Sequence, residues 1–176
     1  MSQAVVAWLV FCRFGARPLA PLRGLRSVTV DRPEPTVLDM PAFCAQRRVE
    51  FRDTDAAGIV HFSAFFLMME SAEHELLRSL GISIMDHGNP EQLTWPRVSA
   101  SCDYLAAAKF EDVLTIEVGV GKIGNSSVDY DFHFAREEKS IARGRITTVC
   151  CHLKPGRGLE KQPIPDSIRD LLSKHA

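Results

Sequence analysis

Along this chain the spacing of apolar side chains marks most of the regular structure. Between Gln46 and Arg52, Val49 and Phe51 interleave with Arg and Glu at period two, which predicts a strand. A loop of small and acidic residues, Asp53 to Phe62, follows. The period then changes. Phe65, Met68, Met69, Ala72, Leu76 and Leu80 recur at the three-and-four spacing of an amphipathic helix, with Ser63 placed to act as N-cap and Gly81 to stop it. Such a helix is about 17 residues, or roughly 25 Å at its rise per residue. Its apolar stripe needs a sheet to lie on.

Alternation then returns and persists. Val98, Ala100, Cys102 and Tyr104 form one greasy face, Leu114, Ile116, Val118 and Val120 a second, and Val128, Tyr130, Phe132 and Phe134 a third. Gly124-Asn125 separates the last two, and residues 136–139 precede a further strand from Ser140 to Leu153, so short hairpins predict an antiparallel meander. Pro163 and Pro165 introduce a short helix, Asp166 to Lys174, expected on the outside of the domain or partly frayed. The order β-α-β-β-β-β is that of an α+β fold.

Composition narrows the setting. The 176 residues are 45% hydrophobic and carry 21 basic against 22 acidic side chains, a formal charge of −1 that excludes a protein devoted to coating nucleic acid. The longest apolar run, Ala4 to Cys12, is nine residues, well short of the roughly 20 that cross a bilayer. Five cysteines are an odd number without regular spacing, so neither a disulfide framework nor a CxxC zinc site is expected, and a reducing compartment fits. Residues 1–30 contain no acid but include Arg13, Arg17, Arg23 and Arg26, and they lack periodicity. We expect residues 1–39 to be an extension outside the fold, either disordered, a mis-assigned leader or an organelle transit peptide, and residues 40–176 to form one domain. The setting would be cytoplasmic, or an organelle matrix if the leader is a transit peptide.

Several constellations invite chemistry. Gly119, Gly121 and Gly124 match GxGxxG, but a strand follows where a dinucleotide-binding loop needs a helix, so hairpin glycines are expected. Glu70, Glu73 and His74 share a stretch of helix, but a carboxylate-bridged metal would need ligands from a second long helix, so solvated or subunit-facing polar residues are expected. Cys150, Cys151 and His152 alternate faces of a strand and cannot all grip one ion, so buried thiols are expected. No metal or redox cofactor is required.

The unusual segment is Asp53-Thr-Asp55-Ala-Ala-Gly58-Ile-Val-His61-Phe62. Two carboxylates stand where a strand gives way to a helix start, with its free N–H groups and positive dipole end. A carbonyl oxygen aimed at those amides would be stabilised as charge develops, and an adjacent carboxylate could attack the carbonyl or deprotonate water. An Asp-rich turn that only caps the helix is the equal alternative.

Val49 to Phe62, leading into Phe65 to Glu70, resembles the first motif of the 4-hydroxybenzoyl-CoA thioesterase-like branch of the hotdog superfamily. Pro96 to Tyr104, followed by Phe110 to Leu114, is similar to its second block. The resemblance implies a long central helix wrapped by a curved antiparallel sheet of about five strands, with subunits paired edge to edge as homodimers and often homotetramers. It implies hydrolysis of an acyl-CoA or aroyl-CoA to free acid and CoA. Asp55 takes the role of catalytic nucleophile or base, Asp53 a supporting one, and Gly58, His61 and the amide at Phe62 surround the thioester carbonyl. Glu70 falls at a position facing the acyl pocket. Relatives often have Tyr where this chain has His61, so that histidine either assists or simply packs. Lys122, Asn125 and Ser126 lie at the hairpin where relatives contact the nucleotide. From Met40 onward the chain has 16 basic and 19 acidic residues, so a few local groups would have to hold the CoA phosphates. The alternatives are a non-hydrolytic acyl-thioester-binding protein and a hotdog dehydratase.

Overall fold

A computed structural model describes residues 43–84, 93–154 and 158–176. The expected leader, residues 1–39, and the domain start between Met40 and Phe43 lie outside these residues, save Phe43 itself, which opens the first strand.

Strand β1 runs Phe43–Arg48, earlier than the pattern predicts. The chain leaves the sheet after Val49, which is buried, and Phe51–Asp53 forms a single 3-10 turn with Phe51 in solvent. Local polar chemistry causes the change: the Glu50 N–H donates to Asp53 Oδ2 at 2.9 Å, and the Asp53 N–H donates to the Glu50 carbonyl at 2.9 Å. Helix α1, Ala64–Ser79, buries Phe65, Met68, Met69, Ala72 and Leu76 of the predicted stripe and also Ala64, Glu73 and Leu77, while Leu80 lies just past its end and is half-buried. It ends where glycine allows a left-handed residue. Gly81 has φ +73, its N–H donates to the Arg78 carbonyl at 3.0 Å, and the Ile82 N–H reaches back to Leu77 at 2.8 Å.

The remaining elements are β2 (Leu93–Thr94), β3 (Arg97–Tyr104), β4 (Val113–Ile123), β5 (Ser127–Arg136), β6 (Lys139–Val149), β7 (Cys151–Lys154), β8 (Gly158–Lys161) and α2 (Asp166–Leu172). A five-stranded antiparallel sheet has the order β1-β4-β5-β6-β3, and α1 packs on one of its faces. Alternate residues of β5, from Val128 to Phe134, are buried under the helix. Gly144 of β6 lies directly beneath Met69, where any Cβ would collide with the Met69 sulfur. Its missing side chain sets how closely the helix approaches.

Two expectations are corrected. The single strand expected from Ser140 to Leu153 is two, because Cys150 leaves the ladder: its N–H donates to the Ser126 carbonyl at 2.8 Å and its own carbonyl accepts from Gln162 at 2.9 Å. β7 then enters a second, three-stranded sheet of order β2-β7-β8, whose two other strands are too short to carry a periodic signal. The terminal helix is packed on the outside, as expected, but is not frayed: Leu172 is buried, as is Ile164 just before the helix, and the Arg169 guanidinium donates to the Gly124 carbonyl at 3.0 Å.

Strand β3 stands at an edge of the large sheet and, among the described residues, pairs only with β6. Its apolar face is only partly covered: Cys102 is half-buried, but Val98 is 62% exposed and Tyr104 48%. Among the described residues no helix is long and apolar enough to cross a membrane.

Candidate active site

The loop between the 3-10 turn and α1 is closed on itself. Thr54 and Val60 form an isolated antiparallel bridge, the Asp55 N–H donates to the Ile59 carbonyl at 3.0 Å, and the Gly58 N–H donates back to Asp55 at 2.9 Å. Gly58 holds φ +72, which an L side chain adopts only at a cost, although a Cβ there would meet no atom within 4 Å. The glycine is therefore needed for the turn and not for space.

This loop orients Asp55. Its Oδ1 accepts the Ala57 N–H at 2.8 Å, an Asx turn, while Oδ2 has no hydrogen-bond partner among the described residues. Asp53 is committed to the Glu50 N–H. Neither carboxylate caps α1, and no acid lies in the first turn of that helix. Ser63 occupies the N-cap position but does not cap; its hydroxyl lies 2.7 Å from His61 Nδ1 instead. At the positive end of α1 the N–H groups of Ser63, Ala64 and Phe66 are taken by His61 Nδ1, the His61 carbonyl and the Ser63 carbonyl, which leaves few donors free among the described residues.

One of these is at Phe62. The His61 carbonyl accepts the Ala64 N–H at 2.9 Å, so in the trans peptide joining His61 to Phe62 the N–H points the opposite way, out of the helix start. It has no acceptor among the described residues. Phe62 and Asp55 line one cavity of about 450 Å³, whose other walls include Val60, Phe65, Tyr104 and Ala108. A carboxylate oxygen without a hydrogen-bond partner, an unpaired backbone donor and an apolar wall therefore border one cavity. A larger open groove of about 580 Å³ between β1 and α1 is lined by Arg47, Arg48, Arg52 and Asp53, but neither Asp55 nor Phe62 borders it. The smaller cavity is therefore the candidate site.

The other residues singled out from the sequence are placed as follows. Gly58 shapes the loop and does not line the cavity. His61 packs its ring on that of Phe62 at 4.4 Å, also off the cavity wall. Glu70 pairs with Arg97 at 3.2 Å. Lys122 is exposed, Asn125 accepts the Ile164 N–H at its carbonyl at 2.8 Å, and Ser126 is buried. None of these three borders the cavity within one chain.

Glu73 corrects an expectation, because it is neither solvated nor subunit-facing within this fold: it is 1% exposed and held 2.9 Å from Arg97. Burial pushes its carboxyl above the usual carboxylate range, with Arg97 opposing. His74, 2.8 Å from the same guanidinium, is held below its ordinary range by burial first and by Arg97 second. Cys150 and Cys151 are buried, as expected, and burial pushes the Cys150 thiol up to about 11. Gly121 and Gly124 sit in and beside the β4–β5 hairpin, with no helix after them. Among the described residues no cluster of His, Cys, Asp and Glu could hold a metal ion.

Sequence reasoning missed Tyr104 as a site residue. Its hydroxyl donates to the Phe62 carbonyl at 3.1 Å, and its ring packs on Phe65 at 5.4 Å. The available signal was a phenol at the end of an otherwise apolar strand face. Arg97 was missed too, since a lone basic residue at a strand start says nothing of the helix it reaches.

Residues 49–172 match the thioesterase-like superfamily. The chain is 30% identical over 127 residues to a 1,4-dihydroxy-2-naphthoyl-CoA hydrolase of Nostoc punctiforme, a match covering 72% of this chain and 84% of that protein. It is 26% identical over 106 residues to the acyl-CoA thioesterase YbgC of Haemophilus influenzae, covering 60% and 78% respectively. The crystal structure of a Synechocystis 1,4-dihydroxy-2-naphthoyl-CoA thioesterase superposes with a TM-score of 0.67 at 26% identity, over 75% of this chain and 96% of that one. With a family match running from the end of β1 to the end of α2, and a free carboxylate facing a helix start, the chain belongs to the thioesterase-like superfamily and has the hotdog fold of its solved relatives.

Proposed function

We propose that this protein hydrolyses an acyl-CoA or aroyl-CoA thioester to the free acid and CoA, with the Asp55 carboxylate as nucleophile or general base. The observation that carries this reading is the pairing of an uncommitted Asp55 Oδ2 with the outward Phe62 N–H at one cavity. Relatives named as an acyl-CoA thioesterase and as a 1,4-dihydroxy-2-naphthoyl-CoA hydrolase support the substrate class. The thioester carbonyl would accept the Phe62 N–H, so that negative charge developing on its oxygen meets a donor already in place. Asp55 would then either attack the carbonyl carbon, expelling CoA thiolate, or take a proton from an attacking water. In both cases one water is consumed, the C–S bond breaks, and the thiolate leaves to become the CoA thiol.

Lys122, Asn125 and Ser126 are the proposed contacts for CoA, and Glu70 the acidic residue toward the acyl end. Because they do not reach the Asp55 cavity within one chain, we propose that a second copy completes the site. The edge that β3 leaves unpaired among the described residues, and its partly exposed apolar face, support edge-to-edge pairing as a homodimer, or a tetramer built from it. Cys102, Cys150 and Cys151 are free thiols, in keeping with a reducing setting, cytoplasm or organelle matrix. The test is thiol release from a panel of short, long and aromatic acyl-CoAs. Release that depends on Asp55 supports the assignment. Tight binding of the panel without release would favour a non-hydrolytic binding protein.

A further inference from the structure

We propose that Tyr104 is a positioning residue for the hydrolysis: its hydroxyl fixes the start of α1 so that the Phe62 N–H faces the substrate carbonyl. The inference rests on the Phe62 amide being the group that polarises that carbonyl.

The first turn of α1 leaves the Phe62 carbonyl without a helical partner. In a helix continuing one residue further back, that oxygen would accept the Phe66 N–H; here the Phe66 N–H donates to Ser63 at 3.1 Å. The Tyr104 O–H, at 3.1 Å, is the donor that replaces it. The two peptides flanking the Phe62 Cα are thereby held from opposite sides. The one before it is fixed by Ala64 through the His61 carbonyl at 2.9 Å, and the one after it by Tyr104. With both planes set, the torsions at Phe62 are set, and so is the direction of its N–H. The Phe62 side chain supplies no such restraint, being 60% exposed.

Tyr104 is itself held. Its ring packs against Phe65, which packs edge-on against Phe134 at 5.2 Å, so the hydroxyl is carried by the core of the sheet and not by the loop it restrains. Burial, with Cys102 and Asp103 adding to it, pushes the phenol up to about 12. It remains a donor throughout the range in which a carboxylate-dependent thioesterase works, and it has no proton to exchange there.

Tyr104→Phe in the full chain keeps the ring and removes only the donor. We expect kcat to fall about tenfold, less than the loss from deleting an oxyanion donor outright. KM, the unfolding midpoint and the pH profile of kcat/KM should stay essentially unchanged. A thioether ligand that keeps a carbonyl, phenacyl-CoA labelled with carbon-13 at the ketone, reports the polarisation directly. Its infrared carbonyl stretch should move to lower frequency on binding the wild type and move less on binding Tyr104→Phe. An unchanged kcat together with an unchanged stretch would overturn the proposal while leaving the amide reading intact. A loss of kcat matched by a higher KM and a lower unfolding midpoint would reduce Tyr104 to packing, and a shifted pH profile would make it an acid or base instead. No stretch shift in the wild type itself would overturn the amide reading and this proposal with it.

Discussion

Arg97 Nη2 lies 2.9 Å from Oε2 of Glu73, a carboxylate 1% exposed on the sheet-facing side of α1. The same guanidinium reaches Glu70 at 3.2 Å and the His74 Nε2 at 2.8 Å, so one side chain at the start of β3 collects three residues of the helix. Removing the cation would strand a buried charge. We expect Arg97→Met to destabilise the fold by about 3–5 kcal/mol, read by urea denaturation, with Glu73→Leu in the same chain recovering most of the loss.

His74 gives the pH dependence its sign. Its folded pKa is lowered, by burial first and Arg97 second, with Arg78 adding to that and Glu70 opposing. The unfolded chain therefore binds a proton that the folded chain resists, and His74 should cost stability progressively as pH falls below about 6.5 toward its folded value. Glu73, raised in the fold, acts in the opposite sense at lower pH, but equally in wild type and variant. The stability of His74→Gln relative to wild type should thus rise between pH 7.5 and 5.5, as followed by denaturation at each pH.

Asp55→Asn retains the Asx turn through the amide oxygen and removes the carboxylate proposed as nucleophile or general base. Turnover should drop by roughly 10²–10⁴-fold, the span usual for a lost general base, with the circular dichroism spectrum and unfolding midpoint preserved. Thiol release at near wild-type rate from this variant would refute the role of Asp55.

Gly144→Ala pushes a methyl into the Met69 sulfur. The helix cannot retreat without uncovering the core, so a loss of about 1–3 kcal/mol is expected. Shortening the obstruction with Met69→Ala should make the two changes non-additive: the double variant should be more stable than the sum of the two single losses implies, when both are compared by chemical denaturation.

The alternation of β4 and β5 and the long stripe of α1 were legible because each buries one face of a regular period, while β3 alternates as well but leaves most of its apolar positions exposed. What escaped was decided by single contacts. Phe51 continues the period of β1, yet the Glu50–Asp53 exchange turns the chain into solvent there. Nothing in the spacing of 140–153 announces that Cys150 would give its N–H to Ser126 and split the strand between two sheets. The second sheet depends on two-residue and four-residue strands, below the length at which a pattern is visible. At the site, the motif around Asp55 read clearly, whereas Tyr104 depends on a tertiary approach that no local pattern encodes.

The Asp55 loop is closed by its own bridge and backbone hydrogen bonds within residues 54–60, and it is also tied to the facing wall of the cavity, residues 104–108, some fifty positions later, because the Val60 N–H donates to the Ala108 carbonyl at 2.8 Å. Carboxylate and wall are thus joined by one backbone bond between distant stretches of chain. Side-chain changes along the wall that keep this bond can alter the shape of the cavity without turning Asp55, whereas a change that shifts the backbone at Ala108 moves both at once.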